Sequence, residues 1–447
     1  MDRLHTRAAV VATGDELAIG QSLNTNTMWI ADRLMAAGIE TVEHVVLGDD
    51  RAAVAAAIRR LAGEVPLVIV TGGLGPTADD VTRDALAEAA GEELVLDEGA
   101  LAAIGGRLRG LGREMTAYQR MQAMRPRSAA CLPNDNGTAP GLHMVVGGGG
   151  AGADVFCLPG PPREMKPMFE RDVLPRLRPD PARTARTRVL HAAGIFEAEA
   201  AARLGELMDR GRNPLVGITV SAGGLAVRIR AVGEAGEGGE ALERSLEATA
   251  GAVRRRLGPY IYGEGEETLE SVVVAALRRA GRTLACVESC TGGGLGAAVT
   301  RVPGSSDVFV GGWVTYSNAM KERLVGVPAE VLRENGAVSE PTARAMAVGG
   351  LERSGADLCV SITGIAGPGG GSAAKPVGTV CVGLARRESG GPAVTVRRLL
   401  ISGEREDVRE RSVRTALMMV LLAVRDGPGA LEGSMRLPLA WEAPGAG

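Results

Sequence analysis

The sequence predicts an α/β protein of several domains, and two observations carry that prediction. Along residues 1–175, and again along 261–426, apolar runs typical of buried strands alternate with helical patterns. Such alternation forms a mostly parallel sheet with helices on both faces. Several apolar runs also end in glycine-rich loops, where ligands bind in folds of this kind. We therefore expect two separate α/β domains, each with a site at the carboxyl ends of its strands.

The composition is that of an ordinary globular protein without a strong charge bias. The chain has 447 residues, of which 45% are hydrophobic and 23% charged, and its formal net charge is −3. This charge argues against a nucleic-acid partner. No apolar run reaches the roughly 18 residues that a membrane helix needs, and the first residues lack the features of a signal peptide. Six scattered cysteines without paired spacing favour free thiols. We therefore expect a cytoplasmic protein with no membrane partner.

The first predicted domain, residues 1–175, carries acidic residues and glycines at the ends of its predicted strands. An apolar strand opens on Asp15, a second strand ends near Asp49, and a third enters the glycine turn at 72–75. Glycine main chain can approach phosphate oxygens, and carboxylates can hold Mg²⁺ or a similar ion. The pattern favours a site for a phosphate ester and a divalent metal, although acidic residues before helices also serve as caps.

A small α+β module is predicted over 176–260. The segment 178–187 has the prolines and charges of a linker, and strand patterns then alternate with helices over 197–210 and 239–257. A KH domain that binds RNA shows a GXXG loop and a basic groove, and neither is evident here. We interpret the module as a spacer or a dimer contact and expect a homodimer.

The third predicted domain, residues 261–426, is organised around Ser289. The apolar run 283–288 breaks into serine, threonine and glycines just before a helical pattern, so Ser289 stands at a strand end beside the first free N–H groups of a helix. That position suits a nucleophile with oxyanion donors, and it also suits a helix cap. Two further strand ends follow, one at Tyr316 and one at Thr363.

Lysine usage indicates a base for such a nucleophile. Only three of the 50 basic residues are lysine: Lys166, Lys321 and Lys375. Arginine cannot lose its proton near neutral pH, so a position that keeps lysine is a candidate base. All four histidines precede residue 200, which leaves none in the third domain for a Ser-His-Asp arrangement. If Ser289 is a nucleophile, Lys321 is the predicted base.

Six ordered motifs in the third domain resemble the nicotinamide-nucleotide amidase domain of the CinA (competence-damage inducible) family. They are ESCTGG, VPGSS, GGWVTYSNAMK, GAVSE, TGIAGP and KPVGTV, within 288–380. The resemblance implies hydrolysis of nicotinamide mononucleotide (NMN) to nicotinate mononucleotide and ammonia, with Ser289 as nucleophile and Lys321 as base and without a cofactor. The implied catalytic residues are Ser289, Lys321, Tyr316, Thr363 and Arg405. The implied substrate-binding residues of this domain are Gly292, Gly293 and Gly364.

The first domain resembles the amino-terminal domain of the same family, through the motifs GDEL, NTN, TGGLGPTADDVT, NDNGTAPG and LPGPPREM. That domain is similar to molybdopterin-binding domains of the MoCF type. It is associated with a metal-dependent ADP-ribose pyrophosphatase activity that yields AMP and ribose 5-phosphate. The implied metal is divalent, of the Mg or Co type, and its implied ligands are Asp15, Asp49, Asp79 and Asp80. The implied substrate-binding residues are Gly72, Gly73, Gly75, Asn134 and Glu164.

The resemblances cover the chain as far as residue 426. They imply a MoCF-like domain over 1–175, a KH-like module over 176–260 and an amidase domain over 261–426, with a tolerated hairpin insertion at 147–154. The segment 427–447 lacks periodicity, which predicts a disordered or loosely docked tail. NMN and ADP-ribose are the predicted partners. Two alternatives stay open: a competence-associated protein that binds nucleotides or pterin without turnover, and an enzyme in which only the pyrophosphatase works. Metal dependence separates the two sites, because the serine–lysine site needs no metal.

Overall fold

The computed structural model describes residues 3–147, 152–221, 224–234 and 238–427, together with positions 431, 439 and 441. The centre of the predicted hairpin insertion and most of the predicted tail lie outside these residues. The chain divides into two compact units, Met1–Arg186 with Val232–Glu243 and Thr187–Ala231 with Arg244–Gly447. In the described ranges, no helix is long and apolar enough to cross a membrane.

The first unit contains a six-stranded, mostly parallel sheet, as the sequence predicts. Its strands are β1 Arg7–Thr13, β2 Glu40–Leu47, β3 Leu67–Thr71, β4 Leu94–Leu96, β5 Met124–Pro126, β6 Ala130–Leu132, β7 Gly141–Val146 and β8 Ala153–Leu158. Its helices are α1 Asp15–Ala18, α2 Thr25–Ala36, α3 Arg51–Glu64, α4 Thr82–Ala90, α5 Glu98–Gly110, α6 Ala117–Met121 and α7 Pro162–Met168. The sheet order is β2-β1-β3-β8-β7-β6, with β4 and β5 paired separately. Strands β2, β1, β3 and β8 are parallel to one another. Strand β7 lies antiparallel to both of its neighbours, β8 and β6.

Helices cover both faces of this sheet because its central strands are apolar on both sides. Every residue of β3 and β8 is buried. Successive residues of β1 enter different clusters: Val10 packs with Ile30 of α2, and Val11 packs with Ile58 of α3. The parallel strands therefore direct their carboxyl ends to one edge, where the glycine turn and the predicted acidic residues lie.

A buried carboxylate closes the opposite edge. Oδ2 of Asp154 accepts a hydrogen bond from Nε2 of His5 at 3.0 Å, Oδ1 accepts one from Nε2 of His143 at 2.7 Å, and the guanidinium of Arg178 pairs with it. Nδ1 of His5 accepts the main-chain N–H of Arg178 at 3.0 Å, so the His5 proton that faces Asp154 is on Nε2. Burial alone would raise the pKa of Asp154, but these hydrogen bonds and the Arg178 charge hold it well below its usual value.

We expect Asp154→Asn to lower the free energy of unfolding of the first unit by about 3 kcal/mol, because it leaves buried donors unpaired. The folded pKa lies below the unfolded value of roughly 3.9, so the carboxylate's contribution is complete above that pH and is lost as pH falls below it. Urea titrations at neutral and acidic pH measure this difference. The exposed pair of Glu43 and Arg60 gives the control, since Glu43→Gln should change stability little. A deficit in Asp154→Asn that does not shrink in acid would contradict the assignment.

The middle module is a four-stranded sheet with two helices, which agrees with the predicted α+β class. Its elements are β9 Arg183–Ala192, α8 Glu197–Leu204, β10 Leu215–Ser221, β11 Gly224–Glu234, α9 Gly238–Leu257 and β12 Ile261–Glu264. The sheet order is β10-β11-β9-β12. The helix predicted over 197–210 is shorter than expected, because Gly205 ends it and a 3₁₀ turn over Gly205–Met208 follows.

The carboxyl-terminal part of the second unit is a five-stranded α/β layer structure. Its strands are β13 Leu284–Glu288, β14 Phe309–Val314, β15 Leu358–Gly364, β16 Thr379–Glu388 and β17 Gly391–Leu400. Its helices are α10 Leu269–Ala280, α11 Gly294–Thr300, α12 Asn318–Val325, α13 Ala329–Asn335, α14 Glu340–Ser354 and α15 Arg405–Arg425. The order is β14-β13-β15-β16-β17. Because β13 lies parallel to both β14 and β15, the carboxyl ends of these three strands meet at one edge.

Three described positions of the predicted disordered tail are packed against the core. Leu431 and Leu439 are buried in the cluster that includes α10 and α15. The Leu400 N–H donates to the main-chain oxygen of Trp441 at 2.7 Å, and the Arg411 guanidinium lies 4.6 Å from the Trp441 ring centre. The prediction of disorder is therefore wrong for these positions, because their apolar side chains find a place in the core.

Candidate functional site

The clearest chemical arrangement lies at the carboxyl end of β13. Ser289 directly follows the strand, and Lys321 lies in the first turn of α12, after the end of β14. Nζ of Lys321 lies 3.1 Å from Oγ of Ser289 and donates to the main-chain oxygen of Thr315 at 2.8 Å. Ser289 and Lys321 are 7% and 1% exposed. The structure thus brings the predicted nucleophile and the predicted base into direct contact at a nearly buried position.

The surroundings of Lys321 favour a neutral amine. Burial lowers the pKa of Lys321, and only the proximity of the Cys290 thiol works weakly in the other direction. Among the described residues no carboxylate forms an ion pair with Lys321. Burial raises the pKa of Cys290 to about 11, so this thiol stays protonated and does not compete as a nucleophile. A neutral lysine amine in contact with a serine hydroxyl can act as a general base.

The loop after Ser289 determines which main-chain donors are available. The Ser289 N–H donates to the Ile362 oxygen at 2.9 Å, and the Gly292 N–H donates to the Ser289 oxygen at 3.1 Å. The Gly293 N–H is taken by a side chain, at 3.1 Å from Oε2 of Glu288. The N–H groups of Gly292 and Gly293 therefore close the loop, and substrate binding by these two residues stays a prediction. Their positive φ values of 62° and 96° explain why both are glycine.

The predicted tyrosine and arginine, Tyr316 and Arg405, form a hydrogen bond with each other. Nη2 of Arg405 donates to the hydroxyl of Tyr316 at 3.2 Å, and Nη1 donates to the main-chain oxygen of Gly367 at 2.7 Å. Tyr316 is 62% exposed. Both acceptors are neutral, and within the part of the chain that is described no carboxylate pairs with Arg405. Its positive charge is therefore available to an anion. Tyr316 makes no hydrogen bond to Ser289 or Lys321 among these residues.

Thr363 and Gly364 are the last two residues of β15, and their contacts are with neighbouring loops. The Thr363 hydroxyl donates to the Ala337 oxygen at 2.7 Å, so it holds the loop before α14 rather than the reacting pair. A Cβ on Gly364 would lie 3.0 Å from Sγ of Cys290. Gly364 therefore gives the residue after the nucleophile its room. The structure places both residues at the predicted edge but assigns them to support.

In the first unit the structure brings together two of the four predicted metal ligands. The Asp15 N–H donates to Oδ2 of Asp49 at 3.1 Å, and the Asp49 N–H donates to Oδ1 of Asp15 at 3.0 Å. Burial raises the pKa of Asp49, and the charges of Asp15, Asp79 and Glu16 add to that effect against the Asp15 hydrogen bond. Two carboxylates thus face one another at the carboxyl ends of β1 and β2.

The complete four-carboxylate metal site is not formed. Oδ2 of Asp80 accepts the main-chain N–H of Thr77 at 2.8 Å and also the Thr77 hydroxyl, so this carboxylate closes its own turn. Asp79 is exposed. Among the described residues, no group of three or more His, Cys, Asp or Glu side chains is arranged to hold a metal ion. One oxygen of Asp80 is therefore used within a local turn, and its role as a metal ligand stays a prediction.

The glycine turn packs tightly against neighbouring threonines. A Cβ on Gly72 would lie 2.3 Å from the Thr13 oxygen, and one on Gly73 would lie 2.4 Å from the Thr82 hydroxyl. The Gly72 N–H donates to the Leu158 oxygen at 3.0 Å, so it is not available to phosphate. No acceptor is found within the described residues for the N–H groups of Gly73 and Gly75. Those two keep the predicted role as possible phosphate donors.

Asn134 and Glu164 form a separate pair. Nδ2 of Asn134 donates to Oε2 of Glu164 at 2.9 Å and to the Ala139 oxygen at 2.8 Å. A Cβ on Gly137 would lie 2.0 Å from that carboxylate oxygen, so the loop closes tightly around the pair. No hydrogen bond or ion pair in the described ranges links it to the Asp15–Asp49 pair. These contacts indicate that the pair of Asn134 and Glu164 holds the loop around Gly137 in place.

Two side chains at these sites were missed by the sequence reasoning. Asn26 donates to the Thr71 hydroxyl at 3.1 Å and the Gly160 oxygen at 2.6 Å, and its Oδ1 is buried without a partner. The NTN motif was the signal for it. Glu288 precedes the nucleophile and accepts three main-chain N–H groups. Nothing in the sequence distinguished it from an ordinary last residue of a strand.

Three family models match successive parts of the chain. Residues 9–179 match the model described as "Probable molybdopterin binding domain", residues 187–263 match "Damage-inducible protein CinA KH domain", and residues 266–424 match "CinA C-terminal domain". A MoCF-like domain, a KH module and a CinA carboxyl-terminal domain are therefore present. This confirms the predicted fold class.

Curated relatives match almost the whole chain. A protein of Symbiobacterium thermophilum, named as a competence-damage inducible protein, is 44% identical over 424 residues, which cover 92% of this chain and 97% of that relative. A CinA-like protein of Anaeromyxobacter is 40% identical over 416 residues, covering 93% and 98%. Among solved structures, competence/damage inducible protein CihA of Agrobacterium tumefaciens is 43% identical and covers 35% of this chain and 93% of that one, with a TM-score of 0.33.

Proposed function

The chain belongs to the CinA family, and from that premise we propose that its carboxyl-terminal domain hydrolyses the carboxamide of a nicotinamide nucleotide, NMN, to nicotinate mononucleotide and ammonia. The observation that carries the proposal is the contact of 3.1 Å between Nζ of Lys321 and Oγ of Ser289. A buried lysine without a counter-ion beside a serine at a strand end is the arrangement of a serine–lysine hydrolase.

The proposed reaction has two steps on the same pair. Oγ of Ser289 attacks the amide carbon while neutral Lys321 takes the serine proton. The C–N bond breaks, Lys321 returns the proton to the leaving nitrogen, and ammonia departs from an ester on Ser289. Water then attacks the ester with Lys321 again as base, which releases the carboxylic acid and restores the serine.

The oxyanion in each step needs N–H donors near Ser289. The N–H groups of Cys290 and Thr291 are the best candidates, because within the described residues neither donates to another residue and the Cys290 N–H contacts only its own thiol, whereas those of Ser289, Gly292 and Gly293 are all engaged. One such donor is typically worth ~3 kcal/mol of transition-state stabilisation. The candidate oxyanion donors at this loop are therefore these two N–H groups.

Arg405 accounts for the preference for a nucleotide over a simple amide. Its guanidinium is held by two neutral acceptors, the Tyr316 hydroxyl and the Gly367 oxygen, and keeps an uncompensated charge. A guanidinium in this state suits the 5′-phosphate of a mononucleotide. Tyr316 then serves to aim Arg405 rather than to transfer protons.

Ammonia release from NMN in the presence of a chelator tests the proposal. The wild-type protein should release ammonia at an undiminished rate after chelation, since the Ser289–Lys321 site contains only protein groups. Nicotinamide riboside, which lacks the phosphate, should be a poorer substrate if Arg405 binds phosphate. No ammonia from NMN, with ADP-ribose still cleaved when metal is present, would make this domain a binding module instead.

For the first unit we propose metal-dependent cleavage of the ADP-ribose pyrophosphate as a second activity, supported by the Asp15–Asp49 pair. Mg²⁺ commonly binds through one or two carboxylates together with substrate phosphates and water. Asp15 and Asp49 fit that donor set, and no third protein carboxylate is required. A divalent ion held there would neutralise charge on the pyrophosphate. The chain's own contribution is to aim the two carboxylates and to present the N–H groups of Gly73 and Gly75.

We expect Asp49→Asn to lower the rate of ADP-ribose cleavage at least about 100-fold, because it removes one of the two carboxylates that can hold the ion. AMP release with Mg²⁺ or Co²⁺ measures the effect. The variant should deamidate NMN at the wild-type rate. Asp80→Asn is the matched control: since that carboxylate closes its own turn, activity should fall much less. Equal losses in the two variants would contradict the assignment of the ligands.

A further inference from the structure

We propose that Glu288 is a positioning residue for the nucleophile: its buried carboxylate holds the loop that carries Ser289 and the candidate oxyanion donors, the N–H groups of Cys290 and Thr291. The inference rests on the proposed role of Ser289 and extends it. Glu288 is the last residue of β13, directly before Ser289, and it is 1% exposed. A carboxylate is rarely buried to this extent unless its oxygens are fully used.

The Glu288 side chain connects the two ends of the loop over 289–293, which carries the nucleophile. Oε2 of Glu288 accepts the N–H groups of Gly293 at 3.1 Å and Leu295 at 3.0 Å, and Oε1 accepts that of Gly296 at 2.9 Å. The residue before the nucleophile is thus bonded to the residues that follow the loop. Helix α11 has no side-chain cap of its own, because its N-cap is Gly293. Glu288 satisfies donors that the helix leaves open.

The main chain of Glu288 connects the same loop to the base. Its carbonyl oxygen accepts the N–H of Thr315 at 2.7 Å, and the Thr315 oxygen accepts Nζ of Lys321 at 2.8 Å. Nζ of Lys321 in turn contacts Oγ of Ser289. A continuous chain of hydrogen bonds therefore runs from Glu288 through Thr315 to Lys321 and from there to Ser289.

Two main-chain N–H groups in the middle of the loop remain available. The carboxylate fixes 293–296 and the Ser289 N–H is fixed on Ile362, whereas the N–H groups of Cys290 and Thr291 donate to no other described residue, the former contacting only its own thiol. These two groups can stabilise an oxyanion only if the loop keeps its shape, because a displacement of the order of 1 Å costs about 100-fold in rate. A residue that only capped α11 would change stability and leave the rate unaltered.

The test measures how fast a fluorophosphonate modifies Ser289, which is independent of the identity of the natural substrate. Oγ bonds to phosphorus, fluoride leaves, and the serine proton passes to Lys321. Glu288→Gln places an amide NH₂ group against main-chain N–H donors and breaks part of the network. We expect modification at least tenfold slower, and in the deamidation assay a lower kcat with an unchanged KM for NMN. The acidic limb of the pH profile should not move, since the base is untouched.

Asp357→Asn is the matched control in the same domain. Asp357 accepts the main-chain N–H and the hydroxyl of Thr283, each at 2.8 Å, at the opposite end of β13. Its loss should lower the melting temperature while modification of Ser289 keeps the wild-type rate. A Glu288→Gln protein that is destabilised like Asp357→Asn but modified at the wild-type rate would overturn the inference and leave Glu288 as a cap.

A second pair of variants covers the case in which Glu288→Gln does not fold. Gly296→Pro removes the N–H that Oε1 of Glu288 accepts, a donor that the helix itself leaves open, and Gly296→Ala keeps the donor, with its Cβ no closer than 3.6 Å to any neighbour. Slower modification in the proline variant alone supports the inference, and equal rates overturn it. Wild-type protein that is modified at Ser289 but does not deamidate NMN would refute the proposed substrate and not the role of Glu288. Wild-type protein that resists modification would refute both.

Discussion

Replacing Lys321 by arginine is expected to lower kcat for NMN deamidation by about 10³-fold, with the protein still folded. Arginine has a similar length but stays positively charged and cannot give up its proton near neutral pH, so no base faces Ser289. Ammonia release under saturating NMN measures the effect. The wild-type rate should also fall as pH decreases through the lowered pKa of Lys321, because the amine becomes protonated, and the arginine variant should show no such limb.

The same substitution at Lys375 provides the control. Lys375 lies in the same domain, and its Nζ donates to the Asn335 oxygen at 2.7 Å, a contact that arginine can replace. Lys375→Arg should therefore retain most of the wild-type kcat. Comparable losses in Lys321→Arg and Lys375→Arg would indicate a general intolerance of the domain rather than the removal of a base.

Ser289→Ala is expected to reduce deamidation by about 10⁴-fold or more, because no covalent intermediate can form without the hydroxyl. The binding site for the nucleotide should remain, since Arg405 and Tyr316 do not depend on the Ser289 side chain. Calorimetric titration should therefore give a wild-type Kd for NMN, while single-turnover assays find no ester on the protein. Deamidation at a substantial rate would show that water is activated directly and would refute the nucleophile.

Two comparisons sharpen the serine experiment. Ser412→Ala removes another buried serine of the domain, whose hydroxyl only donates to the Val408 oxygen, and should leave kcat unchanged. The double variant of Ser289→Ala and Lys321→Arg should be no slower than the slower single variant, because nucleophile and base act as a unit. Additive losses would mean that the two residues act in different steps.

Local patterns were sufficient for the architecture around the serine. Apolar runs that end in glycine loops predicted β13 and β15 and the strand end at Ser289, and a glycine stop predicted the end of α10 at Gly281, where φ is 60°. These features depend on residues close in sequence, where periodicity and turn chemistry act. The scarcity of lysine also selected Lys321 before any geometry was known.

The hydrogen bonds formed in the folded chain determined which groups are free to react. The sequence alone does not indicate that the N–H groups of Gly72, Gly292 and Gly293 donate to acceptors within the protein. Nor does it indicate that the Asp80 carboxylate accepts hydrogen bonds within its own turn. All of these side chains and N–H groups belong to residue types that also occur in binding sites. Their state depends on the acceptor that the fold brings near, and composition does not contain that information.

The sequence by itself determined the α/β class, the strand-end positions and the identities of Ser289 and Lys321, because local propensity and residue chemistry act along the chain. The tertiary structure alone decided that these two lie 3.1 Å apart, that Glu288 holds the loop that carries Ser289, and that Asp15 pairs with Asp49. The physical reason is that each contact joins residues on separate elements. Parallel strands bring their carboxyl ends to one edge only when the sheet has formed.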